Sequence, residues 1–378
     1  MNRHLHIVCL DVPYPPDYGG VYDLFYKIKC LKEEGIFIHL HCFEYGRGEQ
    51  TILNQYCESV HYYKRKKGIA AFSLELPYIV SSRNDKALKQ NLEKDNYPVL
   101  LEGIHCTYLL YRNGLQNRKV ILRAHNIEFE YYRQLAQKER SFFKQAYYVN
   151  ETRLLREYEP KVAKKADLTL TVSANDAKIY KTLFGVTNAQ YLPVFIPWNE
   201  VTAAAGTGAY CLYHGNLSVN ENQAAALWLI EKVFSSLNIP LIIAGKNPSS
   251  SIIAAADKYD HITIIANPPA SQMEELIKNA QANVLPSFSN TGIKLKLLHA
   301  LFCGRHCIVN NMMVAGTGLE DICLVAENEN ELIGNIKTFF TQPFTNEDIS
   351  KRTYLLQQLY NNRQNVKHLM NMVNGRVQ

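Results

Sequence analysis

The sequence predicts an α/β protein made of two doubly wound domains in series. Three observations carry this. From His4 to Val172, short apolar runs the length of strands alternate with helical stretches. The alternation stops at 193–208, where PVFIPWNE is followed by TAAAGTGA, a low-complexity stretch with no core pattern. It restarts at Tyr210 and continues to the C-terminal helical region. Strand–helix alternation implies parallel sheets covered on both faces, and 378 residues suffice for two such cores.

In order, His4–Leu10 reads as a strand and Tyr14–Gly20 as a Pro/Gly loop. Val21–Glu34 is a helix with Val21, Leu24, Phe25, Ile28 and Leu31 on one face. Ile36–Phe43, Val99–Glu102, Val120–Arg123 and Leu168–Val172 are further strands, and Glu128–Lys165 forms one or two long helices. In the second half, strands are expected at Tyr210–Tyr213, Leu241–Ala244, Ile262–Ile265, Ala282–Leu285, Cys307–Val309 and Cys323–Val325. Helices are expected at Asn222–Phe234, Ser271–Ala280, from Thr291, and at Glu329–Phe340, with a final helix over 346–372 packing back onto the first domain. The domain bounds that follow are 1–200, with 346–378 joining it, and 209–345. Ligands of open α/β sheets bind outside the carboxyl ends of the strands, so a cleft between the domains is the expected site.

Composition excludes several classes. No apolar run reaches membrane-spanning length. The N-terminal apolar run lacks a signal peptide's cleavage pattern, which points to a cytoplasmic protein. Nine cysteines are scattered with no CxxC pair, and Cys303 and Cys307 have no second pair to complete a metal site; most are expected as small buried hydrophobes. The net charge of +6 lies wholly in residues 1–200, which hold 28 Lys+Arg against 22 Asp+Glu. Its densest cluster is Lys64–Lys67, read as a solvated loop or, alternatively, as a patch for anionic lipid or an acidic acceptor. Phe142, Phe143, Tyr147 and Tyr148 suggest either a buried helix face, the favoured reading, or loose docking on an anionic membrane surface. No nucleic-acid module accompanies the charge.

Four places could carry chemistry. Ser287–Gly304 reads as a polar turn (Asn290, Thr291, Gly292) opening into a helix whose buried side includes Ile293, Leu297 and Leu301. Free N–H groups there attract anions. Lys294 and Lys296 in the first turn oppose the helix dipole, a mismatch that an anionic ligand explains. Gly19–Gly20 open the first helix, either as a close backbone approach to ligand or as a tight turn. RAHNIEFE follows a strand and offers His125, Asn126 and Glu128 at its end. Gly215 and Asn216, with Lys246 at the end of the next strand, offer an approach to a phosphate or sugar. Neither domain carries the GxGxxG dinucleotide fingerprint, which argues against an NAD-dependent oxidoreductase.

PPDYGG, LRAHNIEFEYYRQLA and DLTLTVSANDA, followed by YHGNLSVNEN, LIIAGK, NTGIKLKLLHALFCGRHCIV and GLEDICLVAENENEL, resemble the GT-B glycosyltransferases in residues and order. They most resemble the retaining branch called family 4, with its glycosyltransferase group 1 C-terminal domain. The resemblance implies two Rossmann-like domains facing a central cleft. It also implies a hexosyltransferase that moves a sugar from a nucleotide-sugar donor to a glycan or lipid-linked acceptor, in surface polysaccharide or glycoconjugate synthesis. The donor would be a co-substrate, with no other cofactor and no metal. His125, Gly20 and Lys294 take the catalytic positions; Gly215, Asn216, Lys246, Asn290, Thr291, Gly292, Ile293, Lys296 and His299 the donor side; Gly19, Asn126 and Glu128 the acceptor side. The chain departs from the family at four donor-site positions. The usual arginine is Asn216, the lysine is Glu221 or Asn222, and the two glutamates are Thr291 and His299. An imidazole at the second glutamate position offers one acceptor where a carboxylate grips two ribose hydroxyls. The departures leave open a catalytically weak sugar-nucleotide- or glycan-binding protein, and an epimerase acting on the donor alone is a third possibility. Peripheral attachment to the inner face of the cytoplasmic membrane would suit a lipid-linked acceptor.

Overall fold

A computed structural model of the protein describes residues 3–17, 19–288 and 294–375. The chain divides into two compact units: residues to Pro197 together with those from Tyr360, and residues from Trp198 to Leu359.

In the first unit the strands are β1 (His4–Cys9), β2 (Phe37–Glu44), β3 (Ser59–Lys64), β4 (Val99–Glu102), β5 (Val120–Ala124), β6 (Leu168–Thr171) and β7 (Ala189–Tyr191). Its helices up to the unit boundary are α1 (Gly19–Glu33), α2 (Tyr78–Ser81), α3 (Lys86–Leu92), α4 (Tyr108–Tyr111), α5 (Glu128–Lys138), α6 (Phe142–Ala163) and α7 (Ala174–Thr182). The sheet runs β3-β2-β1-β4-β5-β6-β7, parallel at every pairing. Successive side chains on a strand point to opposite faces, and the core divides accordingly. Ile7, Leu100 and Ile121 pack with α1 residues Leu24, Ile28 and Leu31. Val8, Leu101 and Leu122 pack with α6 residues Leu155, Tyr158 and Val162.

The second unit contains β8 (Cys211–Asn216), α8 (Asn220–Trp228), β9 (Leu241–Lys246), α9 (Ser250–Ala256), β10 (Ile262–Ala266), α10 (Ala270–Asn279) and β11 (Ala282–Leu285). It continues with α11 (Leu295–Cys303), β12 (His306–Asn310), α12 (Asn311–Val314), β13 (Leu324–Ala326), α13 (Glu329–Thr341) and α14 (Asn346–Leu359). Its sheet, β10-β9-β8-β11-β12-β13, is again parallel throughout and repeats the strand order of the first. In each sheet the order in which strands are added therefore reverses once, between β1 and β4 and between β8 and β11. Those two points are where a doubly wound sheet opens a crevice for ligand.

The structure differs from the sequence reading in several places. The expected final helix is two: α14 stays with the second unit, and α15 (Asn362–Val373) joins the first. The break falls at Tyr360–Asn361, where the Asn361 side chain accepts the Gln364 N–H at 3.0 Å and starts a new helix. Val366, Leu369 and Val373 of α15 then enter the α1 side of the core, each apolar side chain worth roughly 1.5–3 kcal/mol on burial. Strand β3 and helix α9 were not expected. Lys64 ends β3 instead of lying in a loop. Phe142 and Phe143 are exposed, not part of a buried face, because they lie on the first turn of α6, beyond the residues that reach the sheet. Among the described residues no helix is long and apolar enough to cross a membrane.

Candidate active site

At the switch point of the second unit, β8 ends in Gly215–Asn216 and β11 is followed by Ser287. Gly245, beside Gly215 in register, has no room for a side chain: a Cβ there would stand 1.8 Å from the Gly215 carbonyl oxygen. Asn310, ending β12, grips Ser287 by both amide atoms, accepting its N–H at 3.0 Å and donating to its carbonyl at 2.7 Å. The chain is thus fixed on the approach to 289–293. Past that segment, Lys294 is the N-cap of α11 and Lys296 lies in its first turn.

Both ammonium groups turn inward. Lys296 Nζ donates to Asn222 Oδ1 at 2.9 Å and sits 5.0 Å from the centre of the Tyr213 ring. Lys294 Nζ lies 3.4 Å from Ser287 Oγ, and Ser287 donates to Glu221 Oε1 at 2.7 Å. Burial pushes Lys296 down to about 8, with Glu221 opposing and Lys294 adding to the fall. Burial lowers Lys294 as well, again against Glu221. Two partly desolvated ammonium groups thus lie close together beside the Glu221 carboxylate, an arrangement to which an anion is attracted.

Next to it, the His299 ring stacks on Trp198, with centroids 4.6 Å apart and planes 24° apart. Burial pushes this imidazole down to about 4, so it is neutral at pH 7. His214, edge-on to His299 at 6.1 Å, is buried with Nε2 unpartnered among the described residues.

At the switch point of the first unit, a charge network sits beneath the start of α1. Glu102, ending β4, accepts Lys27 Nζ at 2.7 Å on Oε1 and lies 2.8 Å from His125 Nε2 through Oε2. Lys27 also donates to Asp23 at 3.0 Å, and the Arg123 guanidinium lies 3.3 Å from both Asp23 oxygens. Burial alone would raise the Asp23 carboxyl; Arg123 and Lys27 override it and hold it well below the usual range. Asp23, Glu102 and His125 could in principle hold a metal ion. However, the chain's own ammonium and guanidinium already occupy both carboxylates and balance their charge. A carboxylate can only accept, so His125 donates Nε2–H to Glu102, the arrangement that in a neutral ring leaves the lone pair on Nδ1. That Nδ1 is buried and has no partner among the described residues.

Residues 208–342 match the family described as "Glycosyl transferases group 1". That match falls within the second unit, and the two parallel sheets have the GT-B fold. It is 26% identical over 358 residues to an "Uncharacterized 44.6 kDa protein in cps region" of Klebsiella pneumoniae, covering 90% of this chain and 89% of that one. Among solved structures it is similar to Anabaena HepE in complex with UDP and glucose, at TM-score 0.67 and 10% identity over 98% of this chain and 99% of the other. It is also similar to a glycosyltransferase from Rickettsia africae, at TM-score 0.68 and 11% identity over 100% and 99%. The lipopolysaccharide outer core galactosyltransferase WaaB matches at TM-score 0.66 and 14% identity over 99% and 100%. At these identities the structures speak to the fold.

The residues singled out from sequence fall into three groups. Lys294, Lys296 and Asn222 come together, with His299 one turn along α11. His125 joins the network that ties Asp23 and Lys27, one and two turns after Gly19–Gly20, to the carboxyl ends of β4 and β5. Glu128 is a buried group raised to about 8 by burial and by the neighbouring Glu159 carboxyl, with Asn126 opposing the rise. The third group stands apart. Asn216 spends its side-chain oxygen on the Ser218 N–H and hydroxyl at 3.1 and 2.7 Å, closing its own turn. Lys246 stands exposed opposite Asn216 in register. Asn290, Thr291, Gly292 and Ile293 lie outside the described residues.

One sequence expectation needs correction: α11 runs from Leu295 with Lys294 as its N-cap, so of the two lysines Lys296 alone lies in the first turn. Glu221, at the start of α8, reaches the same cluster through Ser287. Sequence reasoning missed Ser287, His214 and Trp198. Trp198 carried a signal, as one of two tryptophans in the chain, set in an otherwise featureless linker.

Proposed function

We propose that the protein transfers a hexose from a nucleotide-sugar donor to a glycan or lipid-linked acceptor, with retention and without a metal, in surface polysaccharide or glycoconjugate synthesis. The observation that carries this reading is the Lys294–Lys296 pair, drawn inward at the carboxyl end of the second sheet. A diphosphate there would be met by both ammonium groups. UDP bound to the similar Anabaena HepE supports a nucleotide of this kind.

In the proposed reaction the bond from the anomeric carbon to the diphosphate breaks and a bond from the acceptor oxygen forms on the same face. The acceptor's proton leaves with the diphosphate. Charge growing on that leaving group meets the two ammonium groups and the N–H groups of the α11 start, the largest contribution such a site can make. Gly19 and Gly20 leave room for sugar or acceptor near the α1 start. His125, oriented by Glu102, accepts a hydrogen bond from a sugar hydroxyl at Nδ1, and Asn126 and Glu128 serve the acceptor. Gly215 and Lys246 complete the donor side.

The test is a titration of UDP, GDP and ADP, followed by turnover of the matching nucleotide sugars. Lys294→Ala should weaken binding of one nucleotide and lower turnover at least tenfold with little change in melting temperature. Undiminished activity in that variant would refute the phosphate assignment.

A second reading, a sugar-nucleotide- or glycan-binding protein with little turnover, draws on His299. Its ring is neutral, and its face is taken by Trp198, so it cannot replace a carboxylate that grips two ribose hydroxyls. Nucleotide-sugar binding without transfer or hydrolysis across an acceptor panel would favour it.

A further inference from the structure

We propose that the first unit carries a binding site for an anionic glycolipid presented by a membrane. A tyrosine-lined cavity would hold the sugar, and an apolar, basic rim would rest on the bilayer. This deepens the transferase reading by choosing a lipid-linked acceptor.

The cavity, about 430 Å³, opens at the carboxyl edge of the first sheet. Its walls come from residues that follow successive strands: Asp11 after β1, Tyr45 after β2, Arg65 after β3 and His105 after β4. Tyr78, Tyr132, Tyr147 and Tyr148 close it. Tyrosine rings give flat apolar faces for the C–H side of a sugar and hydroxyls for its edges. The Arg65 guanidinium packs 4.5 Å from the Tyr45 ring centre and 5.5 Å from that of Tyr78, which fixes a positive charge in the wall. His105 Nδ1 is buried there with no hydrogen-bond partner among the described residues.

The rim is unlike an ordinary protein surface. Between the wall residues Arg65 and Tyr78, the chain exposes Ile69 by 94%, Phe72 by 64% and Leu74 by 80%. This segment is held in place, with Gly68 N–H donating to the Tyr78 hydroxyl at 3.1 Å and Ser81 Oγ to the Ala71 carbonyl at 2.5 Å. One helical turn before Tyr147, Phe142 and Phe143 stand out by 76% and 84%. Tyr78 meets Tyr147 edge-on at 6.4 Å, and its N–H donates to Glu151 at 2.8 Å, so both apolar projections belong to one face. Lys64, Lys66 and Lys67 are exposed beside them. Five large apolar side chains on one face are a patch that marks an interaction surface. Adjacent lysines select an anionic bilayer over an acidic or neutral protein partner, because apolar insertion and charge attraction act together there. The bilayer would hold the lipid tail of the acceptor, Arg65 and the lysines would face its charged headgroup, and the cavity would receive its sugar.

Flotation of the full chain with phosphatidylcholine vesicles, with and without about 30% phosphatidylglycerol, tests the surface. Binding is expected only to the anionic vesicles, falling with salt. It should drop at least tenfold in Ile69→Ser/Phe72→Ser/Leu74→Ser and in Phe142→Ser/Phe143→Ser, with UDP, GDP and ADP titrations unchanged. Absence of flotation, equal flotation on neutral vesicles, or wild-type flotation by both variants would overturn the proposal. Transfer of labelled sugar into the organic-soluble fraction of a membrane lipid extract tests the cavity: wild type should label it, and Tyr147→Ala should bind vesicles but label at least tenfold less. Label confined to the aqueous phase would overturn the lipid-linked acceptor. A chain that floats on anionic vesicles but binds no nucleoside diphosphate would sink the transferase reading and leave the membrane surface standing.

Discussion

Glu102 Oε2 lies 2.8 Å from His125 Nε2, while the other oxygen of the same carboxylate holds Lys27 at 2.7 Å. Lys27 keeps Glu102 ionised, and the ionised carboxylate sets the His125 tautomer. The histidine is thus positioned by α1 as much as by its own strand.

Glu102→Gln should lower turnover by roughly 10²-fold, the scale on which a small misplacement of a substrate-positioning group acts, with nucleotide affinity retained. It should also unfold more easily, since a buried pair that loses one partner costs about 3–5 kcal/mol. Adding Lys27→Met removes the stranded charge, so the double variant should recover stability in urea but not turnover. Recovery of both would reduce the network to a structural one.

Lys296 predicts a pH dependence for donor binding. Burial holds its ammonium at about 8, and only the charged form attracts a diphosphate. Affinity should be flat from pH 6 to 7 and weaken above 8, approaching tenfold per pH unit. Lys296→Arg, charged throughout, should flatten the curve between pH 7 and 9.5. Calorimetric titration across that range reads the slope.

Glu128 predicts the opposite sign for stability. Its folded value, raised to about 8 by burial and by Glu159, lies above the unfolded carboxyl value near 4.5. Its contribution is complete below that value and is lost as pH rises toward 8. Glu128→Gln should therefore raise the melting temperature at pH 9 and leave it unchanged at pH 4.

A stack of histidines across β1, β2 and β3 governs acid stability. His6 Nδ1 and His41 Nε2 are 2.8 Å apart, and His41 Nδ1 is 2.8 Å from the Tyr63 hydroxyl. Burial pushes His6 down to about 4 despite the Asp95 carboxylate on its other nitrogen, while Arg118 and His39 add to the fall. Burial, His6 and His61 lower His41 further. Stability is full above the unfolded histidine value near 6.5 and lost as pH falls toward 4. His41→Gln should make the melting temperature less steep between pH 6 and 4.5.

The alternation of strands and helices was legible because buried parallel strands are apolar on both faces, as in Ile7–Cys9 and Val99–Leu101. Strand β3, SVHYYK, was not: it is an edge strand, mostly half-buried, and its pattern is that of a polar loop. The break between α14 and α15 depends on one asparagine side chain, which no apolar period records. In the site, the lysine pair stood out because it opposed the helix dipole. Glu221 and Ser287 did not, because their pairing spans 66 positions. Arg123, the first residue of the RAHN motif, is fully buried and spends its guanidinium on Asp23 and on the carbonyls of Leu192 and Pro193, partners that lie far off in sequence.

Isothermal titration of UDP, GDP and ADP into the wild-type chain and into Lys294→Ala/Lys296→Ala reads whether the two ammonium groups hold a diphosphate. A diphosphate seated at the start of α11 requires that one nucleotide bind the wild type and that the double variant, still folded, lose at least a hundredfold in affinity. Equal affinity in the two proteins, or no binding to the wild type by any of the three, would contradict it.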